Sequence, residues 1–327
     1  MQKTNQAWSY LLGKYKYVLL LFLIFISFSL KQVRAQQQPF INLGLTSFLD
    51  GAPPSGPGLY LSNYNLYYHS DTFRDNNGNR VPFPDVNIFA QAFQLIYMAP
   101  HELPTRAKWG LNLLLPVVYL NNNGPEGIGD LFFGPFIQWD PIMGKNGPIF
   151  MHRVELSGVF PVGKYDESAL VSPGSNIFYF NPYWAGTVLP KPWWSISWRI
   201  HYLYNSANND PNPLFFPGVE KAQAGQAFHL NFTTSFEVMP KRFRLGINGY
   251  YLKQLNDVKF DGVSIPNTKE QIFGIGPGAL VHFGRDDHLF INTYFEALAR
   301  NRPERILVNV RYVHNFPIGR KDMMPPP

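Results

Sequence analysis

Ala227-Phe228-His229-Leu230-Asn231-Phe232-Thr233-Thr234-Ser235-Phe236-Glu237-Val238 alternates strictly. Phe228, Leu230, Phe232, Thr234, Phe236 and Val238 take one face, and Ala227, His229, Asn231, Thr233, Ser235 and Glu237 take the other. A period of two is that of an extended strand. The run ends at Met239-Pro240-Lys241-Arg242, a turn too short for anything but a hairpin. The flanking segments repeat the pattern. Ile196, Trp198, Ile200, Tyr202 and Tyr204 oppose Ser195, Ser197, Arg199, His201 and Asn205. Near the C-terminus Ile306, Val308, Val310, Tyr312 and Phe316 oppose Asn309, Arg311 and Asn315. The faces of the first, second and sixth segments are not assignable in this way.

Other short turns recur at His101–Pro104, Gly144–Gly147, Leu189–Pro192 and Gly284–Asp287. Between them lie long polar stretches such as 162–175, 206–225 and 256–269. A soluble sandwich has no reason to segregate short and long connections. An outer-membrane barrel does, with short turns on the periplasmic side and long loops outside. The segments reach about 12 residues, against the 5–6 typical of soluble sheets and the 9–11 that cross a bilayer at a tilt. The fold predicted is all-β: a transmembrane antiparallel up-and-down barrel of about twelve strands. They are placed near 57–70, 85–98, 107–120, 129–140, 148–160, 175–187, 193–205, 225–238, 242–255, 270–283, 288–299 and 305–316.

Composition agrees. Charged residues make up 15% and aromatics 16% of 327 residues, where a soluble domain carries about 25% charged residues. Trp109, Trp139, Trp193 and Trp194 all sit near short turns, as residues of a membrane-interface girdle would. Cysteine is absent, so stability must come from a source other than disulfides, and a closed ladder supplies one.

The first 35 residues read as a secretory signal. Lys3, Lys14 and Lys16 precede the 13-residue apolar run Val18–Leu30, and Val33-Arg34-Ala35 supplies a cleavage site at Ala35. The run is shorter than the roughly 20 residues a helical span requires. Removing its five basic residues from the formal +6 leaves about +1, so the basic composition gives no support for nucleic-acid binding. Residues 36–56 then form a segment that lies in the periplasm or plugs the barrel mouth. The barrel occupies 57–316, and a Pro-rich tail, 317–327, is expected to be disordered.

The polar faces carry Arg153, Glu155, Arg199, His201, His229, Glu237, Arg244, Glu296 and Arg311. These are the candidate lumen-lining residues. They set which solutes pass, or they pair across strands and fill a narrow barrel. No catalytic residue is assigned: Ser197 and His201, at i and i+4 on a strand, are about 13 Å apart, and hydrolase motifs are missing from the sequence. No metal site or cofactor is assigned either. Asp71, Asp75, Asn76, Asn77 and Asn79, with Asn208, Asn209 and Asp210, have the oxygen chemistry of a calcium site, but turn formation accounts for the same residues.

Gly127-Ile128-Gly129-Asp130, Phe160-Pro161-Val162-Gly163-Lys164-Tyr165-Asp166 and Pro173-Gly174-Ser175-Asn176-Ile177-Phe178-Tyr179-Phe180-Asn181-Pro182 resemble the phenol meta-pathway degradation-like outer-membrane proteins. Pro54–Tyr60 and Arg74–Asn79 fit as well. The resemblance implies a signal-bearing barrel in the outer membrane, linked to the breakdown of aromatic compounds, that passes small hydrophobic or aromatic molecules without catalysis. A structural or surface-binding barrel with a sealed lumen, or a barrel-wall hydrolase, is the alternative. The expected partners are outer-membrane lipids and lipopolysaccharide, the small solute, and the barrel-assembly machinery, which would read the aromatic end of the last strand at Phe316.

Overall fold

In the computed structural model the chain is described over residues 38–52, 56–120, 126–169, 171–213 and 216–318. The expected signal with its cleavage site at Ala35, the Pro54-Ser55 pair and residues 319–327 lie outside these.

Twelve strands cross the barrel: β1 (Gly58–Arg74), β2 (Arg80–Leu103), β3 (Ala107–Leu120), β4 (Gly127–Ile128, Leu131–Trp139 and Ile142–Gly144), β5 (Gly147–Glu155 and Gly158–Phe160), β6 (Tyr179–Phe180 and Tyr183–Lys191), β7 (Trp194–Asn205), β8 (Ala227–Met239), β9 (Phe243–Gln254), β10 (Gln271–His282), β11 (Asp287–Arg300) and β12 (Arg302–Pro317). Each pairs antiparallel with its sequence neighbours. The sheet closes where β1 meets β12, from Gly58↔Pro317 to Arg74↔Arg302. Closure leaves no strand edge, the condition for a sheet in hydrocarbon.

The outer face is apolar strand after strand. Phe93, Trp109, Ile137, Phe228, Ile247, Ile291 and Phe295 are all exposed. Such a surface is at home against lipid tails and not against water. Many inner positions are small, polar or tyrosine, as in Ala90 and Ala92 of β2, Ser195 and Ser197 of β7, and Tyr250 of β9, and others are aliphatic, as in Leu66, Leu252 and Leu307.

Short turns gather at the end where Gly58 and Pro317 pair, as the sequence predicts. At the other end two connections differ from the expected long loops. β11 reaches β12 through Asn301 alone, and β1 reaches β2 through a tight turn, 75–79. There Asp75 Oδ1 accepts the Asn77 and Asn79 amides, each at 2.8 Å. The asparagine-rich run is thus an aspartate-stapled hairpin. These strands are correspondingly long, 17 and 24 residues in β1 and β2. Arg74 clamps the projection by donating to Glu304 at 2.8 and 3.2 Å.

β5 and β6 are interrupted at Leu156-Ser157 and Asn181-Pro182. The wall does not open there. Phe136↔Glu155 and Phe133↔Gly158 share one register, as do Tyr183↔Glu155 and Phe180↔Gly158. The interruptions coincide with Pro135 and Pro182, which have no N–H to give the ladder. Their carbonyls still accept, from Leu156 at 3.0 Å and Tyr202 at 3.3 Å.

Residues 38–52 run inside the barrel. Ile41, Leu43 and Leu45 pack against Tyr64, Leu66, Tyr179, Tyr250, Leu252, Tyr294 and Leu307. Phe48 packs against Leu280, Phe290 and Val313. Twelve strands fall between the roughly eight whose interior side chains can fill and the 16 or more that leave an aqueous channel, and here the chain's own N-terminal segment supplies much of the filling.

β10 shows how room is made. Gly274, Gly276 and Gly278 share its inner face, so neighbouring side chains lie over a bare backbone. A Cβ on Gly278 would sit 1.8 Å from Asn248 Nδ2, and one on Gly276 would sit 1.9 Å from the Thr293 carbonyl oxygen. The second obstacle is backbone and cannot swing aside. Gly276→Ala is expected to cost about 2 kcal/mol by overpacking, read as a lowered unfolding midpoint of the heat-modifiable band on detergent gels.

Candidate functional site: the occupied lumen

The N-terminal segment has no ladder of its own, so its backbone groups need side-chain partners. Inward asparagines provide several of them. Asn231 of β8 accepts from Gly44 N at 2.9 Å and donates to the Asn42 carbonyl at 2.8 Å. Asn309 of β12 donates to the Gly44 carbonyl at 2.9 Å. Asn292 of β11 takes a side chain of the segment instead, accepting from the Ser47 hydroxyl at 3.2 Å and from Asn248 of β9 at 3.0 Å. The hydroxyls of Tyr179 and Tyr294 reach the Phe40 and Thr46 carbonyls at 2.5 and 3.2 Å. An amide side chain both donates and accepts, which is what a passing peptide backbone requires.

The segment runs from one rim towards the other. Gln38 meets Gln254 and Asn205, each at 2.8 Å, at the long-loop ends of β9 and β7. At its far end Asp50 takes both Arg199 nitrogens, at 2.7 and 2.5 Å. Gly51 lies directly on the wall, donating to Thr187 Oγ1 at 2.9 Å and accepting from Gln138 at 3.0 Å. A Cβ there would come within 2.5 Å of backbone atoms of Met151 and Thr187.

The rest of the wall, from β12 through β1 to β6, carries a chain of polar contacts. Arg311 donates to the Tyr64 hydroxyl (3.3 Å), Tyr64 to Gln94 (2.9 Å), Gln94 to Asn112 (3.0 Å), and Asn112 to Glu155 (2.9 Å). Glu155 also accepts from Tyr183 at 2.5 Å and Ser157 at 2.6 Å. Gln94, Asn112 and Arg311 keep partial exposure along this wall. Glu155 extends across β4 because Gly134 has no side chain; a Cβ would meet the carboxylate at 2.5 Å.

All nine residues singled out in the sequence sit on inward positions, in several different situations. Arg199 is neutralised by Asp50, and Glu296 by Arg305 at 3.0 Å. Arg244 is held by the Ser195 and Ser235 hydroxyls at 3.2 and 3.1 Å, and Glu237 lies at the short-turn rim, accepting from Lys241 N at 2.8 Å. His201 and His229 stack face to face, centroids 4.0 Å apart, and His229 meets Asn181 at 3.0 Å. Glu155 belongs to the polar chain. Arg153 and Arg311 lie over aromatic rings. Among the described residues no hydrogen bond joins Ser195, Ser197 or Ser235 to a histidine; Ser197 is taken by Thr187 at 2.9 Å and Ser195 by Ser235 at 2.7 Å. No metal-holding group of three His, Asp or Glu side chains occurs among the described residues.

Trp109, Trp139, Trp193 and Trp194 lie near the short-turn end on the outer wall. Trp109 packs edge-on to Tyr97, Trp139 stacks on His152, and Trp193 and Trp194 flank Phe236. The scattered glycine and aspartate motifs come together as one knot at the loop end. Asp130 accepts from Gly163 N at 3.1 Å, Ser175 N at 2.8 Å and Ser175 Oγ at 2.5 Å. Gly129, Gly163 and Gly174 touch backbone to backbone; a Cβ on Gly163 would come within 2.7 Å of both others. Beside it in the 161–178 loop, the Ser168 hydroxyl and amide hold the Asp166 carboxyl below the ordinary carboxylate range.

Residues 70–312 match the family model described as "Putative MetA-pathway of phenol degradation". The chain belongs to this family. Among solved structures it is similar to the COG4313 outer membrane channel from Pseudomonas putida F1, with 16% identity, 86% of this chain and 100% of that one covered, and a TM-score of 0.67. That likeness is one of fold. Lower similarity extends to the translocator domain of the autotransporter NalP from Neisseria meningitidis (11% identity, 82% and 91% covered, TM-score 0.46). It extends also to the TodX deltaS2S3 mutant monoaromatic hydrocarbon channel (9% identity, 86% and 98% covered, TM-score 0.44). No curated protein matches by sequence.

Asp50, the asparagine contacts and Tyr183 were not foreseen. Asp50 lies in a segment without periodicity, and an inward asparagine looks the same in sequence whether it faces water or a peptide. Removing one partner of the Asp50–Arg199 pair leaves a buried charge unmatched. Asp50→Asn is therefore expected to lower stability by about 3 kcal/mol, with Asp50→Asn/Arg199→Gln recovering part of the loss in thermal unfolding in detergent.

Proposed function

We propose that this family member is a passive outer-membrane channel for small aromatic molecules, and that its N-terminal segment sets the width of the path. The observation that carries this reading is a polar chain on the lumen wall that, among the described residues, makes no hydrogen bond to residues 38–52. Asn231 and Asn309 of β8 and β12 hold the segment at 42–44, and Arg199, Thr187 and Gln138 of β7, β6 and β4 hold its far end at 50–51. The chain from Arg311 to Glu155 lies along β12 and β1 to β5, with Arg311, Gln94 and Asn112 partly exposed. A barrel meant only to be sealed gains nothing from leaving arginine, glutamine and asparagine half-wetted there.

The nine inward ionisable residues then act mostly in pairs, fixing the segment and the wall, and only a few meet the solute. The four tryptophans anchor the short-turn rim at the membrane interface. Lipopolysaccharide surrounds the long-loop rim, and the Phe316 end of β12 is the feature the assembly machinery would read. Both of these rest on the barrel's orientation. The family's description, phenol degradation, supports the solute class.

The competing reading, a sealed surface-binding barrel, draws on the apolar packing of Ile41, Leu43 and Leu45 across the loop end of the lumen. Reconstitution in liposomes separates the two. The full mature chain should speed entry of labelled benzyl alcohol over empty vesicles, and deletion of residues 39–51 should raise single-channel conductance several-fold. Vesicles no leakier than empty ones with either protein would end the channel reading.

A further inference from the structure

Most buried cations of this lumen are matched. Arg199 has Asp50 at 2.5 Å, Arg305 has Glu296 at 3.0 Å, and Arg302 has Glu270 at 3.3 Å. Arg244 lacks a carboxylate at bonding distance but is tied by two serine hydroxyls and the Ser235 carbonyl. Arg153 is different. It is 9% exposed, its Nε is sealed without an acceptor, and among the described residues its side chain makes no hydrogen bond and no ion pair. The two carboxylates nearest to it are engaged: Asp50 by Arg199 in a two-nitrogen clamp, Glu155 by Tyr183, Asn112 and Ser157.

What Arg153 does have is aromatic faces. Its guanidinium carbon lies 5.4 Å from the Phe136 ring centre and 5.7 Å from that of Tyr183. Phe136 in turn packs with Tyr60 and Met98, an apolar patch on β1, β2 and β4. That patch exists because Gly110 leaves space: a Cβ there would be 2.1 Å from the Phe136 ring. Asp50 and Glu155 act on the Arg153 charge through space without bonding it, so what its side chain lacks is a hydrogen-bond acceptor; a buried guanidinium with unmade hydrogen bonds is costly. A planar guanidinium prefers a carboxylate, which it can bind through two parallel hydrogen bonds. An apolar, ring-lined wall beside it favours a flat hydrocarbon group. Arg311 repeats the arrangement on the far side of the polar chain, 3.9 Å from the Phe290 centroid, with its Nε also sealed and a single bond, to Tyr64.

Resting on the channel reading above, we infer that the solute this lumen selects is an aromatic carboxylate, and that Arg153 is the residue that binds its carboxylate while Phe136 and Tyr60 face its ring. Arg311 is the second station along the same wall. Neutral aromatics of the same shape pass less readily, because they offer no charged acceptor to the free donors of either guanidinium.

The test uses the full mature chain in liposomes, with benzoate and its neutral near-isostere benzamide as paired probes. Wild-type protein should pass benzoate several-fold faster than benzamide. Arg153→Gln should lower the benzoate-to-benzamide ratio about tenfold, the size expected for one charge-assisted contact, and Arg153→Lys should recover part of it. Lys145→Gln, which removes a charge from an exposed short turn, should leave the ratio alone. Equal passage of the two probes through wild type, or faster benzamide, overturns this proposal and leaves the channel standing. Passage of neither removes the channel reading and this one together. Should Arg153→Gln fail to give a heat-modifiable folded band, the wild-type ratio and Arg311→Gln decide the matter by the same criteria.

Discussion

A peptide N–H or C=O in hydrocarbon has only other peptide groups to bond to. This constraint fixes the closure of β1 on β12, and closure fixes nearly everything else. Side chains must alternate between lipid and lumen, so every strand has to satisfy two solvents at once. The glycines on the inner face of β10, at Gly110 and at Gly134 follow from the same limit. A closed ring of twelve strands has a fixed interior, and a large inward residue such as Tyr250 or Phe136 fits only where a neighbour gives up its side chain.

The same accounting applies to the segment inside. Residues 38–52 have left water without joining a ladder, and their backbone groups are taken up by side chains of the wall. Asn231 and Asn309 do what a neighbouring strand would do, without extending the sheet. Asp50 adds a charge-assisted clamp at the end of the run. The interior is consequently divided between groups that hold peptide and a polar chain, from Arg311 to Glu155, that among the described residues makes no hydrogen bond to it. Arg153 and Arg311 owe their unusual surroundings to that division, since the nearest carboxylates are engaged elsewhere.

Strands whose outer face is uniformly apolar were legible from sequence, and β7, β8 and β12 are the clearest. β1 resisted because Asn63 and Asn65 point outward, where Asn65 bonds Asn63 at 2.7 Å and accepts from Gln91 of β2 at 3.0 Å. These amides satisfy one another and so tolerate the outer face, but they erase the alternation. β2 resisted because its inner positions Ala90, Ala92, Ile96 and Met98 are as apolar as its outer ones, with Gln94 alone among them polar. β6 resisted because Tyr183 and Ala185 face inward while Gly186 faces outward under the Trp198 ring. The inward ionisable residues were legible as a set for the converse reason: a charge on an otherwise alternating strand has one inexpensive side. Their partners were not, because pairing depends on register and on which residue of a distant segment arrives opposite.

By itself the sequence determined the solvent of this protein. The period of two, the strand length, the short turns and the family motifs all follow from covalent order and local geometry, and together they require a barrel in a bilayer. Only the tertiary structure decided the contents of that barrel. Asp50 lies 149 positions from Arg199 along the chain, and Gly129, Gly163 and Gly174 meet only after three strands have been laid side by side. Contacts of that range are set by closure and register, which no local pattern encodes.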